Sequence, residues 1–192
     1  MIKGKNIDIR PIAERGKLVR LHGVECFKVM LFATVVATGV NTVLLKTAPL
    51  MDIEVGAGGL FGLLQMYFGG IFHDLGFSAV WSATVLPQPG SLGFYVFFHS
   101  LIGLLMAGLY VYSVEKYLAG SGIKKGAVFA LLSWLINSIL VLPLLGKGFA
   151  GSEVLDSVGL IYFFVANGVY GVLLGFLYEK LSDKQLVNDG GE

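Results

Sequence analysis

Cysteine is nearly absent from this chain, and so is charge. Cys26 is the only cysteine, so no internal disulfide can staple the fold, and the residue reads as a small apolar filler at a helix start. Lys, Arg, Asp and Glu together make up 14% of the 192 residues, too few for the surface of an ordinary soluble domain. The net formal charge is +1, and the basic residues sit beside apolar runs rather than in one patch, which excludes a nucleic-acid partner. Catalytic signatures are missing as well. There is no nucleophile at a recognisable spacing from a base, no phosphate-cradling loop and no paired-cysteine motif. GAGGLFG, residues 56 to 62, has the glycines of a dinucleotide loop, yet no strand precedes it and no βαβ unit surrounds it.

Hydrocarbon-length segments are present instead. Apolar residues make up 55% of the chain, and the mean hydropathy is +0.77, which marks an integral membrane protein. The length fits one compact unit with no additional soluble domain. Residues 1 to 23 are polar and basic, with Lys3, Lys5, Arg10, Arg15, Lys17 and Arg20, and Pro11 argues against one continuous helix there. From Val29 to Leu45 no charge interrupts the chain, and with Phe27 and Lys28 at the entrance it reaches the roughly 20 residues that cross a bilayer. The basic stretch is too long for a cleavable signal and TAPLM lacks a small-x-small site, so this span is expected to be a retained anchor. The membrane domain is expected over 24–181, with spans over about 27–46, 93–114, 126–146 and 157–178, followed by a polar tail over 182–192.

Residues 53 to 72 are apolar enough to cross but rich in glycine and flanked by Asp52, Glu54, His73 and Asp74. Parity decides their role. If they do not cross, one side holds Lys3, Lys5, Arg10, Arg15, Lys17, Arg20, Lys28, Lys116, Lys124, Lys125, Lys180 and Lys184, and the other holds only Lys46 and Lys147. That is the positive-inside distribution, with both termini cytoplasmic. Residues 50 to 92 are then an interfacial or re-entrant excursion on the outer face, with Trp81 at headgroup level and a turn at Pro87 and Pro89.

The spans that begin at residues 93 and 157 share a spacing. His99, Gly103, Ala107 and Tyr110 match Asn167, Gly171, Gly175 and Tyr178, so each helix presents a polar residue, two small ones and a tyrosine along one stripe. Small residues let helices approach closely in lipid, so Gly103, Ala107, Gly171 and Gly175 are expected to be packing positions. Both spans then reach an acidic-basic pair, Glu115 with Lys116 and Glu179 with Lys180. The pattern predicts two helical hairpins of the same orientation, related by an axis along the membrane normal, in an all-α four-helix bundle. Coincidence remains open, because small residues at this spacing are common in membrane helices.

The chain resembles the small four-span membrane proteins of unknown function that include the YagU-like inner-membrane proteins. The matching features are a first span ending in APLMD, a span opening with HSLIG and ending in a tyrosine, and a KKG opening of a span with W and PLLGKGFAG. A last span of the YGVLLG type completes them, and the resemblance covers roughly residues 29 to 181. It implies a prokaryotic cytoplasmic membrane and no agreed biochemical activity. It also implies a histidine in the last span, where this chain has Asn167, so it departs from any paired-histidine site.

His99 carries the chemical question. It can hydrogen-bond Asn167 across the repeat axis, satisfying two polar groups that are costly unpaired in hydrocarbon. It can ligate b-type haem or contact a quinone, with His73 the candidate second imidazole, since His22 lies at the opposite face. A metal set of His73, Asp74, His99 and Asp52 has suitable ligand types but no diagnostic spacing, and none is assigned. Asp52, Glu54 and Asp74 invite a proton-relay reading, although acids at a span's end are usually just solvated. Asn41, Asn137, Asn167 and His99 are expected in the polar bundle interior, where amides act as inter-helix glue. Pro143 frees a carbonyl near Ile139 and is expected to bend its span.

With aromatic faces such as Phe94, Tyr95, Phe97, Phe98, Tyr162, Phe163 and Phe164, the expected function is a non-catalytic accessory or structural subunit. Its partners would be the bilayer and either other membrane subunits or copies of itself. One alternative is a small transporter or proton channel lined by Asn41, His99, Asn137 and Asn167, weakened by the lack of a mid-membrane acid. The other is a haem- or quinone-binding redox subunit using His99.

Overall fold

The structure, a computed structural model, describes residues 23–55, 59–89 and 91–189. The basic segment expected over residues 1 to 22 lies outside the described residues. Helix α1 (Gly23–Thr47) passes into a 3-10 turn at Ala48–Met51. Two shorter helices follow, α2 (Gly59–Asp74) and α3 (Phe77–Ser82). Helix α4 (Leu92–Leu109) continues into a π turn at Tyr110–Glu115. Helix α5 (Gly122–Ile136) widens into a π turn at Asn137–Val141 and ends with Leu142–Leu144, and α6 (Ser157–Asp189) is the last described helix. Four stretches are long and apolar enough to cross a membrane: Val24–Met51, Leu92–Glu115, Gly122–Leu144 and Ser157–Gln185. With no strand among the described residues, the fold is an all-α membrane helix bundle.

Local chemistry sets where these helices begin and end. Pro49 has no N–H to continue α1, and Asp52 closes the 3-10 turn with φ 55°, a left-handed conformation that aspartate tolerates better than most residues. Ser91 caps α4, its Oγ accepting from the Phe94 N–H at 3.0 Å. In α5 the Leu142 N–H reaches back five residues to the Asn137 carbonyl. The wide turn thus begins a turn before Pro143, where the missing donor was expected to act.

Glycine sets the tightest helix approach. α5 packs most extensively on α6, then α1 on α6, then α1 on α4. A Cβ added at Gly126 would strike the Gly171 carbonyl oxygen, and one at Gly171 would strike that of Gly126; Gly122 and Gly175 are related in the same way. On α4, a Cβ at Gly103 would run into the Thr38 side chain of α1, and Ala107 one turn on is fully covered. Each small-residue stripe therefore faces the other helix of its own hairpin. α1 is the most enclosed span, with 44% of its apolar window buried against 17% for α4, so α4 turns most of its surface outward.

The two hairpins are not packed equivalently. α1 meets α6 broadly, whereas α4 meets α5 chiefly through its π turn. The polypeptide between α1 and α4 provides the physical reason. Val55 packs into the cluster of Leu45, Phe163 and Ala166, and the Glu54 carbonyl abuts Gly159. α2 then starts against Val141 and Leu145 of the α5 side at Gly59, while Phe61 sets its ring edge-on to Phe94 and Phe98 of α4, 5.0 Å from each centroid. A helix end wedged on both α4 and α5 holds their far halves apart.

Beyond that wedge α2 leaves the bundle. Its 16 residues reach about 24 Å at the helical rise, short of a hydrocarbon core of roughly 30 Å. Met66, Tyr67, Phe68, Ile71 and Phe72 are all exposed. α3 folds back through a file of rings, Phe72, Phe77, Trp81 and Phe94, with neighbouring centroids 5.2 to 5.9 Å apart. The Trp81 indole donates to the Pro87 carbonyl at 3.0 Å, tying the excursion to the start of α4.

Candidate functional site

The amide of Asn41 joins three helices. Its Nδ2 donates to the Ala166 carbonyl of α6 at 2.8 Å, and because a carbonyl only accepts, this fixes which way the amide faces. Oδ1 is left toward α4, where His99 Nε2 stands 3.0 Å away. The imidazole must therefore donate, which makes Nε2 the protonated nitrogen and Nδ1 the lone-pair nitrogen of the neutral ring. The expected His99–Asn167 pair does not form. Asn167 donates to the Phe163 carbonyl of its own helix at 2.7 Å, because the wedge and the α1–α6 contact place Asn41, not α6, opposite His99.

The array extends outward from His99. Tyr95, one turn before it on α4, stacks on the imidazole with centroids 5.6 Å apart and planes 7° from parallel. The Lys46 ammonium lies 3.8 Å above the other ring of this stack, that of Tyr95. Lys46 and Tyr95 line a cavity of about 590 Å³ at the end of the bundle that carries the excursion, together with Asp52, Glu54 and Lys147. Inward from the array, the Tyr170 hydroxyl donates to the Gly103 carbonyl at 2.9 Å. Below that level Ala33, Ala37, Ala107 and Leu174 are fully covered and close the interior.

The remaining candidates are placed apart. Asn137 sits in the π turn of α5, its Oδ1 near Gly59 of α2 rather than in the His99 array. His73 is 85% exposed at the end of α2, its Nδ1 3.5 Å from Asp74. A bis-histidine haem needs two imidazoles at one depth; His73 stands exposed beside Asp74, whereas His99 turns its Nε2 to Asn41. Among the described residues no three His, Cys, Asp or Glu side chains gather around one point, so His73, Asp74, His99 and Asp52 do not form a metal set. Cys26 Sγ lies 3.3 Å from the Tyr178 hydroxyl.

At the opposite end of the bundle, Glu115 pairs with Lys125 rather than with its neighbour Lys116. Lys125 Nζ donates to Glu115 Oε1 at 2.6 Å and the Tyr110 hydroxyl donates to Oε2 at 2.8 Å, while Lys116 lies over the Tyr117 ring. The π turn makes this possible, since residues five apart stack in a π turn and diverge in an α-helix. Sequence spacing alone missed this cluster and the convergence of Lys46 with Lys147; the one available signal was that the excursion end has no other lysine.

Asn41→Leu is expected to lower the unfolding free energy in micelles by about 1 kcal/mol, the upper part of the range for inter-helix hydrogen bonds in membranes. Asn167→Leu, which removes a bond within one helix, is expected to change it little. Equal losses from both would contradict the Asn41 bridge. Compared with known proteins, the chain matches no family model, no curated protein and no solved structure.

Proposed function

We propose that this four-span protein is a non-catalytic component of a prokaryotic cytoplasmic membrane, an accessory subunit that packs against other membrane helices or against copies of itself. The observation that carries this reading is α2. It is too short to span, it is anchored to the bundle at one end, and it presents Met66, Tyr67, Phe68, Ile71 and Phe72 uncovered. The outward apolar surface of α4 supports the same reading. The excess of Lys and Arg on the side of the termini and of the turn at residues 116–121 supports cytoplasmic termini. The prokaryotic membrane rests on the likeness to YagU-like proteins in APLMD, HSLIG and YGVLLG.

Native mass spectrometry after extraction in mild detergent tests it. A homo-oligomer or a stoichiometric complex with other subunits is the expected result, and a stable, unaccompanied monomer would count against it.

A transport role is the second reading, favoured by one observation: the cavity at the excursion end sits directly over the Lys46, Tyr95, His99 and Asn41 array. It requires the layer of Ala37, Ala107 and Leu174 to open. Flux in liposomes that His99→Ala abolishes is its expected signature, and no flux in the wild-type protein would end it.

A further inference from the structure

The end of the bundle that carries the excursion has few lysines, and they meet two acids in one place. Between residues 29 and 115, and again between 126 and 179, the only lysines are Lys46 and Lys147. They belong to different hairpins, yet both line the same cavity, and Asp52 and Glu54 line it with them. At about 590 Å³ it has the size of an ordinary small-ligand site. Opposite charges around so small a space would be expected to pair. Among the described residues, however, no ion pair within 4.0 Å joins any two of these four side chains. Lys46 is occupied instead by the Tyr95 ring, which holds its ammonium at 3.8 Å. Asp52 is held by the backbone, at the left-handed residue that closes the 3-10 turn. Leu45, Val55 and Leu155 give the cavity an apolar lining beside the charges.

We propose that this cavity binds a zwitterionic group, an ammonium and an acid carried a few ångströms apart on one molecule, with an apolar portion against Leu45, Val55 and Leu155. A simple anion would be attracted by Lys46 and Lys147 but repelled by Asp52 and Glu54, and a simple cation would meet the reverse. A ligand with both charges complements both pairs. At the end of a membrane bundle the chemistry is available from two sources: the headgroup of an ethanolamine phospholipid, whose acyl chains would follow the lipid-facing helices, or a free zwitterion from the aqueous side. The site does not depend on the accessory reading, because the cavity belongs to one protomer.

The test titrates the delipidated full chain in detergent with phosphatidylethanolamine, phosphatidylglycerol and water-soluble glycerophosphoethanolamine, reading bound mass by native mass spectrometry. Phosphatidylethanolamine is expected to bind about fivefold more tightly than phosphatidylglycerol, the ratio that one partly exposed ion pair supplies. Lys147→Met and Glu54→Gln are each expected to remove most of that preference, and Lys184→Met, at the opposite end, to leave it intact. Glu54 is exposed, so Glu54→Gln tests the site without disturbing the core even if Lys147→Met perturbs the loop. Equal binding of glycerophosphoethanolamine and phosphatidylethanolamine would support the site and assign its ligand to the aqueous side. Equal binding of the two phospholipids, wild-type preference in Glu54→Gln, or the same loss in Lys184→Met would overturn the proposal.

Discussion

Gly126→Ala, a change of one methyl group, is expected to destabilise the bundle by about 2 kcal/mol, near the middle of the range for overpacking. On intrinsic propensity the sign should be the opposite, since alanine is the better helix former by up to about 1 kcal/mol. Geometry reverses it. The new Cβ would lie within the radius of the Gly171 carbonyl oxygen and against the backbone of Val172, atoms that no rotamer change can move. Only a separation of α5 from α6 would relieve the clash, and that contact is the most extensive among the described helices. In lipid there is no hydrophobic drive to hold the helices together once their backbones part, because association there rests on close packing. Gly168→Ala on α6 is the matched control: nothing lies within 4 Å of the added Cβ, so propensity acts alone and stability should hold or rise slightly. Reversible unfolding in mixed micelles, followed by circular dichroism, separates the two cases. If both substitutions shift the midpoint alike, the glycine contact between α5 and α6 is not as described.

The same glycines show how far the sequence could be read. The four spans were legible because bilayer thickness fixes the length of an uncharged run, and charges can only punctuate it at the ends. The spacing of Gly103 with Ala107 and of Gly171 with Gly175 marks a face on each helix, but a face does not name what it meets. Gly171 and Gly175 meet Gly126 and Gly122, which are themselves four apart, while Gly103 meets Thr38, so the spacing marks faces on both partners without stating which face pairs with which. His99 poses the same problem in polar form. Asn41, Asn137 and Asn167 are chemically identical partners, and the choice among them depends on the rotation of α1, which the wedge of α2 and the α1–α6 contact help set. Residues 53 to 72 were ambiguous because glycine permits both a helix and a turn; α2 begins at Gly59, where the backbone must come close to Val141. The charged cavity joins Lys46 to Lys147 across two hairpins, a proximity no local pattern encodes.

Glu115→Ala and Lys125→Met are each expected to be more damaging than the glycine change, at about 3–5 kcal/mol, while the double substitution should recover most of the loss. The two side chains are 14% and 11% exposed, so neither charge is well solvated, and among the described residues their 2.6 Å contact is the one ion pair that links α5 to the end of α4. Removing one partner leaves the other charge in a poorly solvated site; removing both leaves none. The singles should not be equal. Lys125 has a long flexible stem near the start of α5, and with Glu115 gone it can straighten its ammonium toward the headgroups. Glu115 has a short stem, and the Tyr110 hydroxyl holds its Oε2 at 2.8 Å inside the bundle, so it cannot follow. Lys125→Met should therefore be the worse of the pair. Tyr110→Phe removes one donor but leaves the ion pair, and its cost should be about 1 kcal/mol. A double-mutant cycle on reversible unfolding reads these values directly. Strict additivity of Glu115→Ala and Lys125→Met would mean that the pair contributes no coupling, and the association of α4 with α5 would then rest on Tyr110 and Phe129, whose rings meet edge to face at 5.6 Å.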